Sequence, residues 1–167
     1  NNYYLNFKPK ESVDAVLEDA AEMGLKVVRT WGNLDAGVKT DKVSDKGYTV
    51  FTDSVDGSGE KEGVYYQYFD ADLGRPVVNE GEDGLQKLDY ALYKAEQEGI
   101  RLLITFTNNW EAFGGMGQYV QWAKLAGENV SGHDDFYTNE TIKGWYKDYI
   151  KTLLNHENVY TGVKYKD

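Results

Sequence analysis

The sequence has no cysteine. Disulfides and thiolate metal sites are therefore excluded, although a location outside the cell is not. Histidine is nearly as scarce. His133 and His156 are the only two, without H-x-x-x-H or comparable ligand spacing, so no metal and no cofactor are expected. Long hydrophobic runs are missing as well. None approaches the roughly 18 residues of a membrane-spanning helix, and no membrane partner is expected. Positive charge is in deficit: Lys+Arg 18 against Asp+Glu 28, a net charge of −10. A chain of this sign repels phosphate backbones, so nucleic acid is not an expected partner. No G-x-S-x-G, Walker or dinucleotide fingerprint occurs, and the glycines of G-S-G-E and F-G-G-M read as turn residues. No signal-like segment is visible. The chain starts at Asn1 without Met, which is compatible with removal of a leader.

What is abundant is aromatic, 14% of the chain, with Tyr 14 and Trp 4. Much of it falls between the periodic segments. Loop aromatics form flat platforms for sugars or bases, because their faces stack on apolar ring faces. The plainer alternative is that they cover long loops. A chain of 167 residues is enough for one domain with a core.

The most informative stretch runs from Gly99 to Met116. Ile100 to Phe106 is apolar without clean alternation, which predicts a parallel strand buried on both faces. Asn108, Asn109 and Trp110 follow just past its C-terminal end, where α/β folds build their sites. The same pattern occurs earlier. Glu22-Met23-Gly24-Leu25-Lys26-Val27-Val28 echoes Gln97-Glu98-Gly99-Ile100-Arg101-Leu102-Leu103, each a helix end, a Gly stop and a strand. Leu25–Thr30 and Ile100–Thr107 are therefore expected to be adjacent parallel strands with helices outside.

Around them, Asn1 to Phe7 reads as the tail of a strand. A first helix follows, capped by Ser12, with Val13, Val16, Leu17 and Ala20 on its apolar side. A second spans Asp83 to Gln97, with capping-box spacing at Asp83 and Gln86 and a stripe of Leu85, Leu88, Leu92 and Ala95. A short helix fits within Gly114 to Gly127. Gly132 to Tyr137 reads as irregular, and Asn139 to Asn155 as a long amphipathic helix. Asn155 to Asp167 reads as a polar tail. Gly32 to Glu82 has no sustained period. At about 50 residues it far exceeds an ordinary βα loop. Its tyrosines argue against disorder, and short local hairpins walling a groove are expected.

Among candidate chemical groups, Glu111, Asp134 and Asp135 are loop carboxylates. A glycosidic bond needs two of them on opposite sides, which neighbours in sequence do not readily supply. Arg29 is a charge near the end of a strand, beside Trp31. It either ties two strands by an ion pair or holds a catalytic carboxylate ionised and oriented. Trp110 in its Asn-Asn-Trp turn suits a sugar platform with amides for hydroxyls, packing being the alternative.

Five motifs, N-N-Y-Y-L (1–5), V-V-R-T-W-G (27–32), G-L-Q-K-L-D-Y (84–90), N-N-W-E-A-F-G-G-M (108–116) and H-D-D-F-Y (133–137), resemble endo-β-1,4-mannanases of glycoside hydrolase family 5. The resemblance covers almost the whole chain. It implies part of a (β/α)8 TIM barrel, roughly the first three β-α units beginning inside the first strand. Residues 1–167 would be the N-terminal portion of the barrel domain of a secreted, retaining mannanase. In that family the segment matching Thr161 to Asp167 leads to a fourth strand carrying Asn-Glu-Pro with the acid/base Glu, and the nucleophile comes on the seventh. Neither is present here. Arg29 matches the family's strand-two Arg near the nucleophile; Trp31 and Trp110 match groove aromatics; Asn33 departs from the Phe usual after W-G. The implied substrate-binding set is Arg29, Trp31, Asn108, Asn109 and Trp110, with mannan as partner and no catalytic carboxylate in these residues. The rest of the barrel, in the same or another chain, or self-association, would complete the fold. The alternatives are a truncated barrel that binds polysaccharide or assembles without hydrolysis, and a β-1,4-glucanase.

Overall fold

The computed structural model describes residues 4–167. Its organising feature is a pair of parallel strands, β1 (Val27–Trp31) and β6 (Arg101–Thr105). They run in register from Val27 opposite Arg101 to Trp31 opposite Thr105. The helix–Gly–strand echo is thus a real structural repeat. α2 (Lys10–Glu22) precedes β1 and α3 (Leu85–Gln97) precedes β6. Gly24 and Gly99 end the helices at φ +78° and +66°, the left-handed region where a side chain is strained.

Helices cover one face of this pair. Val28 and Leu102 pack toward a cluster of Val13, Leu17, Ala91, Ala95 and Ile100 from α2, α3 and the start of the β6 segment. The other face was expected to be buried and is not. Val27 is 59% exposed and Leu103 58% exposed, and Arg29 lies in solvent between them. Residues two apart on a strand share a face, so Val27, Arg29 and Trp31 line up beside Arg101, Leu103 and Thr105. An unbroken apolar run suits a strand inside a closed barrel. Here only the helix side of that environment is supplied by the described residues.

The segment after β1 is more ordered than hairpins alone. β2 (Asp35–Val43) pairs antiparallel with β3 (Thr49–Thr52), and β4 (Gln67–Asp70) with β5 (Arg75–Val78). A parallel β2–β4 pairing joins the hairpins into one four-stranded sheet, ordered β3-β2-β4-β5. α4 (Gly115–Leu125), α5 (Asp135–Thr138) and α6 (Glu140–Asn155) follow β6. Asn139 caps α6 by accepting the Ile142 N–H at 3.0 Å. Ile142, Tyr149 and Leu153 of its stripe are buried.

Several local expectations are corrected. Asn1–Tyr3 lie outside the described residues, and Tyr4–Phe7 is a short helix, α1, not a strand tail. The reason is packing. Leu5 enters the cluster under α2, Phe7 enters another with Leu34 and Leu88, and Asn6 bonds to Thr30 and to the Trp31 carbonyl. A helical turn fans three consecutive side chains into three directions, which a strand cannot. The first strand among the described residues is therefore β1. Ser12 lies inside α2, whose N-cap is Pro9. Asp83 and Gln86 form no capping box: Asp83 accepts from Asn79 and Gln86 reaches the Glu80 carbonyl. The Leu85 N–H is taken by the Asn79 carbonyl at 2.9 Å. The stretch Gly132–Tyr137, read as irregular, holds most of α5 (Asp135–Thr138).

Candidate functional site

The C-terminal ends of β1 and β6 carry the sequence candidates. β1 ends on Trp31, and the Gly32 N–H extends the ladder to the Thr105 carbonyl at 2.7 Å. Tyr149 of α6 donates its hydroxyl to the Gly32 carbonyl, fixing this end of the strand to the helix layer.

Past β6 the chain makes the loop 107–114, and its shape follows from Asn108. The Asn108 Oδ1 accepts the Trp110 N–H at 3.2 Å, and its Nδ2 donates to the Ala112 carbonyl at 3.0 Å. Its own carbonyl accepts the Met116 N–H at 2.8 Å. One asparagine thereby closes both ends of the turn, and Trp110 stands at its tip, 74% exposed. Asn109 is exposed beside it. So Asn108 shapes the loop through both ends of its amide, while Trp110 presents an open aromatic face.

The loop is seated from below by two carboxylates. Asp56 accepts the Phe113 N–H at 2.6 Å. Asp35, fully buried at the start of β2, accepts the Gly115 N–H at 3.1 Å, while its own N–H donates to the Phe113 carbonyl at 3.0 Å. Gly114 and Gly115 have φ +90° and +60°, and a Cβ on Gly114 would lie 2.5 Å from the Asp35 Cβ. Burial raises the Asp35 carboxyl to about 7, against the smaller opposing effect of hydrogen bonds from Gln67 and Gly115. Gln67 in turn bonds Tyr119 of α4 at 3.0 Å. Asn33, buried, donates to the Phe113 carbonyl at 3.4 Å. The residue that departs from the usual Phe thus braces the loop. Its Oδ1 and the Thr107 Oγ1 are buried without a hydrogen-bond partner among the described residues.

Trp31 is half-buried, its ring edge-on to Phe113. Phe113 thus ties the end of β1 to the loop that carries Trp110 at its tip. Arg29 shares the strand face of Trp31 and stands exposed, with no carboxylate within ion-pair distance among the described residues. The ion-pair tie between two strands considered for it is not formed among the described residues. Glu111 is exposed. Asp135 accepts from Ser131 and Gly132 of its own turn, which holds its carboxyl below the usual range. Asp134 pairs with His133 at 3.1 Å. Asp135 organises its own turn, and Asp134 and Glu111 lie near His133.

A second polar cluster lies under the tail. Asp89 is buried in α3 and receives His156 Nε2 at 3.0 Å, the Tyr165 hydroxyl at 2.5 Å and the Val159 N–H at 3.3 Å. Nδ1 of His156 meets Glu80 at 3.1 Å. The two carboxylates raise the His156 pKa above its ordinary 6.5, Asp89 foremost and against the effect of burial. This cluster pins residues 156–165 to α3. Its one signal in the sequence is an aspartate beside Leu88 on the apolar side of a helix.

The GH family 5 beta-mannosidase-like family matches residues 75–167, more than half of the chain. The chain belongs to glycoside hydrolase family 5. Mannan endo-1,4-beta-mannosidase 3 of Arabidopsis thaliana is 36% identical over 172 residues, covering 100% of this chain and 34% of its own length. Mannan endo-1,4-beta-mannosidase 5 of Solanum lycopersicum matches at the same 36%, also over 100% of this chain and 34% of its own. Among solved structures, the endo-1,4-beta-mannanase of Rhizomucor miehei superposes with a TM-score of 0.77 at 36% identity, covering 100% of this chain and 39% of that one. The endo-beta-1,4-mannanase of Thermotoga petrophila gives 0.69 at 36%, covering 100% and 31%. This family 5 chain spans about a third of the length of the curated relatives it matches. Its fold is a partial (β/α)8 barrel, and β1 and β6 are neighbouring barrel strands with their inner face open.

Proposed function

We propose that this chain is the N-terminal barrel portion of a secreted, retaining endo-β-1,4-mannanase that hydrolyses β-1,4-mannosidic bonds. It supplies part of the substrate groove: Trp31 and Trp110 as sugar-facing aromatics, Asn109 as a polar contact, Asn108 shaping the loop, and Arg29 reaching toward the nucleophile. Full coverage of this chain by the Rhizomucor miehei endo-1,4-beta-mannanase, at a TM-score of 0.77, is the observation that carries the reading. The exposed Trp110 at a strand's C-terminal end supports it.

A retaining mechanism uses two carboxyl groups about 5 Å apart. The 167 residues hold no Asn-Glu-Pro motif; of their loop carboxylates, Asp135 is engaged in its own turn and Asp134 with His133. The catalytic pair then comes from the remaining part of the barrel, which also packs on the open face of Val27, Arg29 and Leu103. In that assembly Arg29 faces a carboxylate across the barrel mouth and keeps it ionised.

The test is to read the coding sequence past Asp167, express the longer protein and assay it on mannan and on a soluble cellulose derivative. Cleavage of mannan is expected. Cleavage of the cellulose derivative alone would replace the substrate with a β-glucan.

A further inference from the structure

His133 has two contacts, and both partners are acceptors. Its Nδ1 lies 3.1 Å from the Asp134 Oδ1, and its Nε2 lies 2.9 Å from the Asn109 carbonyl oxygen. A carboxylate and a backbone carbonyl have no proton to give. A neutral imidazole has a single N–H and can satisfy only one of them. Both are hydrogen bonds at once only in the imidazolium. The second bond spans 24 residues and ends on the residue before Trp110.

We propose that His133, in its imidazolium form, is a positioning residue that latches the Trp110 loop from the α4–α5 side and releases it on losing a proton. Asparagine 108 closes the loop on itself, and Asp35 and Asp56 seat its far end at Phe113 and Gly115. The Asn109 carbonyl is the point where a different segment holds the tip. The charged surroundings favour the cation. Asp134 adjoins the ring from its own segment and Glu111 from the loop, and together with the Asn109 carbonyl they raise the His133 pKa from its ordinary 6.5. Asp135 is turned into its own Ser131–Gly132 turn, with Lys124 of α4 near it. Tyr137 meets the imidazole edge-on, centroids 6.4 Å apart.

The inference rests on the groove reading only for its consequence: sugar binding at the Trp110 end should be stronger on the acid side of the His133 transition. The latch is tested apart from sugar. In the 167-residue chain, imidazole and indole NMR signals are followed through the same pH series. The Trp110 indole N–H should shift with the His133 midpoint, and the shift should vanish in His133→Gln. A Trp110 signal that stays flat across the His133 transition overturns the latch. Electrophoresis in gels containing soluble mannan then reads the consequence. Affinity should fall about two- to tenfold above the transition, the scale of one hydrogen bond. His133→Arg, which keeps two donors at every pH, should bind without that fall. Retardation that is equal at both pH values overturns the latch and leaves the groove. No retardation at any pH, with the indole still tracking His133, keeps the latch and removes the groove. Because His133 is exposed, both variants should keep the wild-type fold, checked by circular dichroism.

Discussion

The Phe113 ring meets the Trp31 indole edge-on, centroids 4.5 Å apart and planes 70° apart. Phe113 also stacks on Phe7 at 5.8 Å. One ring thus connects the end of β1, the loop after β6 and α1. Phe113→Ala removes that contact and leaves a gap under the loop. It should lower stability by about 2 kcal/mol, toward the low end for a large-to-small change because the site is only half-buried. Denaturant unfolding monitored by fluorescence measures it.

Trp110 behaves oppositely. At 74% exposure it has little packing to lose. Trp110→Ala should leave the unfolding midpoint within about 0.5 kcal/mol of the parent. In the complete enzyme it should weaken mannan binding by about 1–3 kcal/mol, the scale of one stacking platform. Oligosaccharide titration and unfolding of the same variant separate the two effects.

The buried titratable groups predict that stability falls as pH rises. Asp35 holds its proton to about pH 7 in the folded chain, whereas the unfolded group ionises near 3.8. Its contribution is whole below about 3.8 and lost as pH rises to about 7. His156 also binds its proton more tightly when folded. Its contribution is whole below the ordinary 6.5 and lost as pH rises through the raised folded value. Asp35→Asn should flatten the lower part of the profile and His156→Gln the upper part. Unfolding midpoints across pH 4 to 9 check both.

The open strand face predicts self-association. Val27 and Leu103 stand well exposed on barrel strands, and β1 and β6 pair only with each other among the described residues. Apolar surface left in water costs about 25 cal/mol per Å², and unpaired strand edges add templates for pairing. Sedimentation of the 167-residue chain should show dimers or larger species at micromolar concentration. A monomer with cooperative unfolding at ordinary mesophile temperatures would contradict this.

The elements that could be read in the sequence are those whose signals are local. α6 was bounded by Asn139 and its apolar spacing, and β1 and β6 by the glycine stops before them. The β2–β4 pairing was not legible, because parallel partners are joined across Val43 to Gln67 and leave no turn signature. α1 reads as a strand tail in the sequence, since the four residues Tyr4-Leu5-Asn6-Phe7 are too few to show a period. In the site, Trp110 and Asn108 were visible as residue types past a strand end. Asp35 and Phe113 were not, because their roles arise from contacts about 80 residues apart. His156 and Asp89 meet across 67 residues, and only the misplaced charge of Asp89 hinted at it.

The central claim is that these residues hold part of a mannanase groove without its catalytic carboxylates. The direct measurement is reducing-end release from mannan by the 167-residue chain, after intact mass has excluded longer enzyme. The account predicts no release above the buffer blank. Turnover of about 1 per second or faster, an ordinary enzymatic rate, would contradict it.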